Sequence, residues 1–314
     1  MLTCTFCALG LLLRNDLWAQ TVRDSATVTT GSAANAKTLA SQDSTATPTP
    51  KRSYFQGGLS YLSDNVYLGR RDSARIPYAM PTVGYYHRSG LYAAATLGYA
   101  IVPGSSHIDM VSLEAGYMLT AGNFDGQLSA SKFYYSSQSY SIRSDISANI
   151  VVDAGYDLHF IKPTFEATFN FSGQTDYILT WGLQHTFYAA HDALDITPTV
   201  LVNSGTQNYY NSYYKNRKYS RTRKNGAIVN GTITATVVDP SAFKVLDYEA
   251  AMPINFTLGK LTLNFTPTLA IPVNPAQVSR VTKPAGSGAS TTKVATLEKL
   301  NDSFYWQFGF VVKF

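Results

Sequence analysis

The sequence predicts an all-β chain folded as a single antiparallel transmembrane β-barrel of about twelve strands, and three observations carry that reading. Only 14% of the 314 residues are charged, while 13% are aromatic, with 22 Tyr and 16 Phe. A soluble domain carries roughly 25% charged residues, so this surface is not built wholly for water. Mean hydropathy is −0.08, and no stretch approaches the about 20 apolar residues of a membrane-spanning helix. From Tyr54 to Phe314, runs of about ten residues alternate apolar and polar, the signature of strands with two unlike faces.

The N-terminus reads as a targeting segment. Leu2 to Leu13 form an apolar run, and Leu17-Trp18-Ala19-Gln20 resembles the end of a secretory signal, so residues 1–20 are expected to be removed. Arg14, Asn15 and Asp16 interrupt the end of the run, and no Lys or Arg precedes it. A buried helix is the alternative, but the Thr-, Ser- and Pro-rich sequence that follows offers it no packing partner. Cys4 and Cys7 are the only cysteines and both fall inside this segment. The mature chain is therefore expected to hold no thiol, disulfide or Cys-based metal site, and no cofactor is implied. Residues 21–52 have no apolar period and read as a disordered leader to a barrel over 53–314.

The twelve expected strands are Tyr54–Leu62, Tyr78–Arg88, Leu91–Ile101, Met110–Thr120, Gln127–Tyr135, Asp145–Tyr156, Thr164–Ser172, Tyr177–Ala189, Leu194–Asn203, Phe243–Phe256, Leu261–Val273 and Ser303–Phe314. Ala227–Val238 also alternates but is assigned to a loop hairpin. Connections after even-numbered strands are short, such as Ser89-Gly90 and Leu258-Gly259-Lys260. Those after odd-numbered strands include the long ones, at 63–77, 204–242 and 274–302.

Face assignment inverts the soluble pattern. Phe304, Trp306, Phe308, Phe310, Val312 and Phe314 share one face of the last strand, opposite Tyr305, Gln307, Gly309, Val311 and Lys313. Twelve such aromatic faces cannot fit one small interior, so the apolar face is expected to meet lipid and the polar face to line a lumen. Backbone groups in hydrocarbon must all be paired, which requires closure into a barrel. Tyr78, Tyr99, Tyr117, Tyr156 and Tyr177, at strand ends, are expected to form interfacial girdles.

The terminal Phe314 and the alternating aromatic strand before it resemble those of bacterial outer-membrane β-barrel proteins. The Trp18-Ala19-Gln20 ending is similar to signals common in the Bacteroidota. The resemblance implies short periplasmic turns, long extracellular loops, a bacterial outer-membrane location among lipid and lipopolysaccharide, and recognition of the last strand by the barrel-assembly machinery. Trp306, Phe308, Phe310 and Phe314 would carry that assembly signal.

Inward-phase carboxylates collect at Glu114, Asp145, Asp153, Glu166, Asp247 and Glu249, against few basic residues beyond Lys313. A lumen lined this way favours cations; the alternative is a plugged interior in which they bond to neighbouring hydroxyls and amides. Lys215, Arg217, Lys218, Arg221, Arg223 and Lys224 fall in the Tyr-rich stretch Asn208–Gly226, which holds no acid. The net charge of +5 concentrates there, pointing to lipopolysaccharide phosphates or an anionic solute at the outer rim rather than to nucleic acid. The five histidines lack metal-binding spacing. His107, within Ser105-Ser106-His107-Ile108-Asp109, is the one place where a Ser–His–Asp hydrolase could be sought, although sequence neighbours on a short loop rarely orient such a set.

These readings imply a monomeric porin-like channel or transporter for small polar solutes, without enzymatic activity. The rivals are a plugged barrel serving adhesion or a larger complex, and a barrel-embedded lipid hydrolase. Deleting Phe314, or replacing Phe310 and Phe314 by Ser, is expected to lower the outer-membrane level in fractionated cells while leaving export intact. Unchanged membrane levels would show that the terminal strand carries no assembly signal.

Overall fold

A computed structural model describes residues 52–71, 75–137, 139, 141, 144–213, 231–284 and 291–314. The expected signal segment 1–20, its two cysteines, nearly all of the leader and the basic residues at 215–224 lie outside the described residues. Twelve antiparallel strands form one closed barrel. They are β1 (Tyr54–Leu62), β2 (Tyr78–Tyr86), β3 (Leu91–Ala100), β4 (His107–Ala121), β5 (Phe124–Tyr135), β6 (Ala148–Tyr156) and β7 (Lys162–Phe171). There follow β8 (Asp176–Gln184, continued by Phe187–Ala189), β9 (Leu194–Ile196 and Thr199–Gly205), β10 (Lys244–Ala251 and Ile254–Leu258), β11 (Leu261–Pro272) and β12 (Ser303–Lys313).

Each strand pairs with its sequence neighbours, and β12 pairs with both β11 and β1, which closes the ladder. Directly opposed residues can be followed around the wall from Lys313 through Gln56, Gly84, Ala94, Glu114, Ser131, Asn149 and Asn170 to Asp176. That row starts at the lower end of β12 and finishes at the upper end of β8, so the strands are staggered as barrel closure requires. The termini share one rim with the short turns, which is the periplasmic rim of an outer-membrane barrel. Gly90 makes one of those turns possible, with φ +97° and its N–H donating to the His87 carbonyl at 2.9 Å.

The barrel is inside out. Leu59, Val83, Leu113, Leu128, Val152, Trp181, Val200, Phe308 and Phe310 are exposed on the outer surface, and Trp181 is 58% exposed. Gln56, Thr96, Ser129, Asn149, Thr168, Thr180, Asn264, Thr268 and Gln307 are buried on the inner one. Among the described residues no helix is long and apolar enough to cross a membrane; the strands do the crossing.

Four expectations need correction. Tyr99, Tyr117, Tyr156 and Tyr177 are exposed at strand ends as a girdle would be, but Tyr78 is 0% exposed. It faces the lumen and donates to Asp109 at 2.6 Å, because it falls in the inward phase of β2. Asp145 lies in a turn ahead of β6 rather than within it. The strand at Gly231–Val237 lies in a loop outside the barrel sheet, but its partner among the described residues is distant: it pairs with Gln277–Pro284, which in turn pairs with Thr291–Leu297. Local alternation marks a strand correctly but cannot say which distant segment it pairs with. Finally, the interior holds more cations than Lys313, as described below.

A charge placed on the lipid-facing surface tests the inversion directly. Val152→Arg is expected to cost about 2–4 kcal/mol if its position lies near the bilayer midplane, read from reversible urea unfolding in liposomes. An unchanged midpoint would mean that this face does not meet hydrocarbon.

Candidate functional site: the lumen and its loop plug

Alternation along the strands builds a polar interior whose acids fall in an ordered pattern. Met118, Gln127, Asp153, Glu166, Thr180, Asn203 and Asp247 are successive direct partners across β4 to β10. Glu249 follows Asp247 on the same face of β10, so four of the six expected inward carboxylates sit on or beside one row, Asp145 lying in its turn and Glu114 elsewhere. Glu114 stands apart on β4, bonded by the Tyr92 hydroxyl and by Ser131 Oγ at 3.3 Å. Within the row, Thr168 donates to Glu166 at 2.8 Å and Thr180 to Asn203 at 2.6 Å.

Two irregularities turn inward residues that period-2 counting does not reach, Asp109 and Leu246. The register of β3 against β4 shifts between Gly98 and Tyr99, leaving Asp109 and Met110 both buried inside. The register of β9 against β10 shifts between Asn203 and Ser204, which turns both Leu246 and Asp247 inward. A bulge adds one residue to one strand, so two neighbours share a face. Asp109 accepts hydrogen bonds from Tyr78 and from Ser139 Oγ at 2.8 Å. Its sequence signal was the break in alternation just before Met110.

At the periplasmic end the wall carries an aromatic stack. Tyr54 lies 5.1 Å from Tyr86 and Tyr86 lies 5.5 Å from Tyr92, both pairs stacked, and the Lys313 ammonium sits 4.1 Å from the centre of the Tyr54 ring. Nearby, Lys162 pairs with Asp125 at 2.7 Å. That pair lines a polar cavity of 250 Å³ together with Asp157, His159, His185 and Asp195.

At the opposite end, loop residues fold into the barrel. A hairpin of Val66–Tyr67 and Arg70–Arg71 and a six-residue helix, Asn208–Tyr213, meet over the lumen. Tyr67 packs against Tyr209 at 4.8 Å. Tyr67, Leu68, Ile178, Tyr209, Tyr210, Leu246, Ala276 and Val278 form one buried apolar cluster. Asp176 holds the helix in place: it accepts from Thr206 Oγ1 and Asn208 N at 2.6 Å and from Tyr209 N at 2.8 Å. The hairpin tip requires glycine. Gly69 has φ +72°, and a Cβ there would lie 2.7 Å from Pro272 Cβ and 2.9 Å from Asp247 Cβ. Arg70, 2% exposed, lies among these residues. It is one of five charged residues in the 63–77 connection, so nothing in the sequence singled it out, and inward-phase counting on strands could not find a residue delivered by a loop.

Elsewhere the expected sites resolve simply. Trp306 packs against Tyr61 and Phe265, Phe308 and Phe310 face outward, and Phe314 is 70% exposed. His107 directs Nδ1 at the Ser105 carbonyl, 2.7 Å away, and Nε2 at Asp109, 3.3 Å away, while Ser106 Oγ bonds to the Val102 carbonyl at 2.9 Å. The three side chains are not arranged as nucleophile, base and orienting acid. Among the described residues no three His, Cys, Asp or Glu side chains gather as a metal site.

No family model matches the chain, and no curated protein does. Among solved structures it is similar to the KdgM porin, with 8% identity and a TM-score of 0.45, covering 83% of this chain and 99% of that one. It is also similar to the NanC porin, with 9% identity and a TM-score of 0.42, covering 83% and 100%. An outer membrane channel from Pseudomonas putida F1 matches with 10% identity and a TM-score of 0.39, covering 84% and 96%. At these levels the interior has to be read from its own residues. The closed wall, apolar outside and polar inside, has the architecture of a transmembrane β-barrel.

Asp176→Ala removes the acceptor of two helix N–H groups and is expected to cost roughly 1–3 kcal/mol in reversible unfolding. An unchanged unfolding midpoint would show that the helix is held by its packing alone.

Proposed function

We propose that the protein is an outer-membrane channel for small polar solutes with a weak preference for cations. The observation that carries this reading is the unbroken polar row from Gln127 to Asp247, with Asp153, Glu166 and Asp247 on it and Glu249 beside it. Amides and hydroxyls along the wall exchange hydrogen bonds with a passing solute, and the carboxylates lower the energy of a cation there. The basic side chains on the path, Lys313 and Lys162, are already engaged with a ring and a carboxylate, so they offset the acids less than their number suggests. The arrangement around His107 supports a channel over a hydrolase. The likeness to porins in architecture agrees with the reading without naming a solute.

The basic side chains at 215–224 belong to the long loop on the extracellular side. Their partners in this reading are phosphate groups of lipopolysaccharide or an approaching anionic solute. Screening acts over about 8 Å at physiological salt, so they affect capture more than passage.

A second reading, a plugged barrel acting as a surface or accessory protein, is favoured by the apolar loop cluster over the mouth. Reversal potential across a salt gradient in planar bilayers separates the two. The channel is expected to be weakly cation-selective, and Asp247→Asn with Glu249→Gln is expected to shift the potential toward anions. No conductance, either from the wild type or after residues 65–71 are replaced by a Gly-Ser linker, would establish the plugged reading.

A further inference from the structure

We propose that Arg70 and Glu298 form a latch holding the hairpin of the first extracellular loop to the other two long loops, so that breaking this pair opens the passage. The proposal rests on the channel reading above and names how that channel is closed.

The guanidinium is spent on several elements at once. Nε donates to Glu298 Oε2 at 3.3 Å. Nη1 donates to the Leu68 carbonyl at 3.1 Å and to the Leu246 carbonyl on β10 at 3.4 Å. Nη2 donates to the carbonyls of Val273 and Asn274, just past β11, at 3.3 and 3.2 Å. One side chain from the first long loop thereby fastens that loop to β10, to the segment just past β11 and to the last long loop. The planar fork of arginine can serve so many fixed acceptors, and an ammonium with three donors cannot.

Glu298 completes the connection. Its Oε2 also accepts from Ala276 N at 3.2 Å, which anchors the last loop to its own base. Its Oε1 accepts from the Tyr210 hydroxyl, on the helix contributed by the loop between β9 and β10. The Tyr210 ring in turn lies 5.7 Å from the Arg70 guanidinium carbon. Each of the three long connections thus contributes one arm, and the arms meet at a single ion pair.

The last two long loops are also joined by the backbone ladder between Gly231–Val237 and Gln277–Pro284, and Asp176 fixes the helix of the second. The hairpin of the first loop meets them through the apolar cluster of Tyr67, Leu68, Tyr209, Ala276 and Val278, and apolar burial is non-directional. Its directional ties to them run through the guanidinium and the carboxylate. A buried pair of this kind fails sharply when one partner is removed, because the other is left charged and unpaired. That makes it a switchable fastening rather than a graded one.

The test uses the full-length barrel in planar bilayers. Arg70→Ala and Glu298→Ala are each expected to raise mean conductance several-fold over wild type, and the double variant is expected to add little to either. Arg70→Lys, which keeps the charge but not the fork, is expected to fall between. Retained heat-modifiable migration shows that the wall is intact in each variant; where an alanine variant fails to insert, Arg70→Lys and Glu298→Gln replace the pair. Wild-type conductance in these variants, together with high conductance after residues 65–71 are replaced by a Gly-Ser linker, would overturn the latch while leaving the channel. Silence of the linker variant as well would overturn the channel reading and the latch with it.

Discussion

Every backbone N–H and C=O that lies in hydrocarbon must find a partner within the protein, and the pairing of β12 with both β11 and β1 is what meets that demand. Without it two long strand edges would face lipid, each unpaired group costing several kcal/mol. Closure also sets the geometry of everything inside. Once twelve staggered strands share one ladder, inward positions on different strands are brought to defined heights, and Asp153, Glu166 and Asp247 fall on one row although they are far apart in sequence. The residues that line the lumen are therefore placed by backbone pairing, and their own contacts contribute less to where they sit.

The wall and its mouth are stabilised by different physics. In the wall, side chains contribute mainly through what they face: large apolar groups outward, small hydroxyls and amides inward. At the extracellular mouth the order reverses. Tyr67, Leu68, Tyr209 and Leu246 form an apolar cluster inside the barrel, the arrangement of an ordinary soluble core. Such a core can form there because loops carry their own apolar residues into a space that lipid never reaches. Charge enters with them through Arg70 and Glu298, each satisfied by groups from other segments.

How much of this was legible in the sequence follows from the range of each signal. Strand number, face and the short-to-long alternation of connections are local properties, and Tyr54–Leu62 could be bounded from its own residues. Lumen acids at inward phase, such as Glu166 and Glu249, were legible for the same reason. Asp109 was not, because a bulge breaks the count at that point. Tyr78 was misassigned because a Tyr at a strand end reads equally as girdle or lining, and phase alone decides. Arg70, Tyr209 and Glu298 belong to connections whose positions depend on contacts across the whole chain, and alternation carries no information about those.

The separation between Arg70 and Glu298 is 228 residues, and it has a consequence for the order in which the molecule is made. The hairpin that carries Arg70 follows the first strand, yet its acceptors lie on β10, past β11 and in the connection just ahead of the final strand. Contacts so distant in the chain form late, since the intervening segments must first be brought together. The contacts over the mouth thus share their long sequence separation with barrel closure itself, in which Gln56 pairs with Lys313, and neither can be made before the connection ahead of the final strand exists.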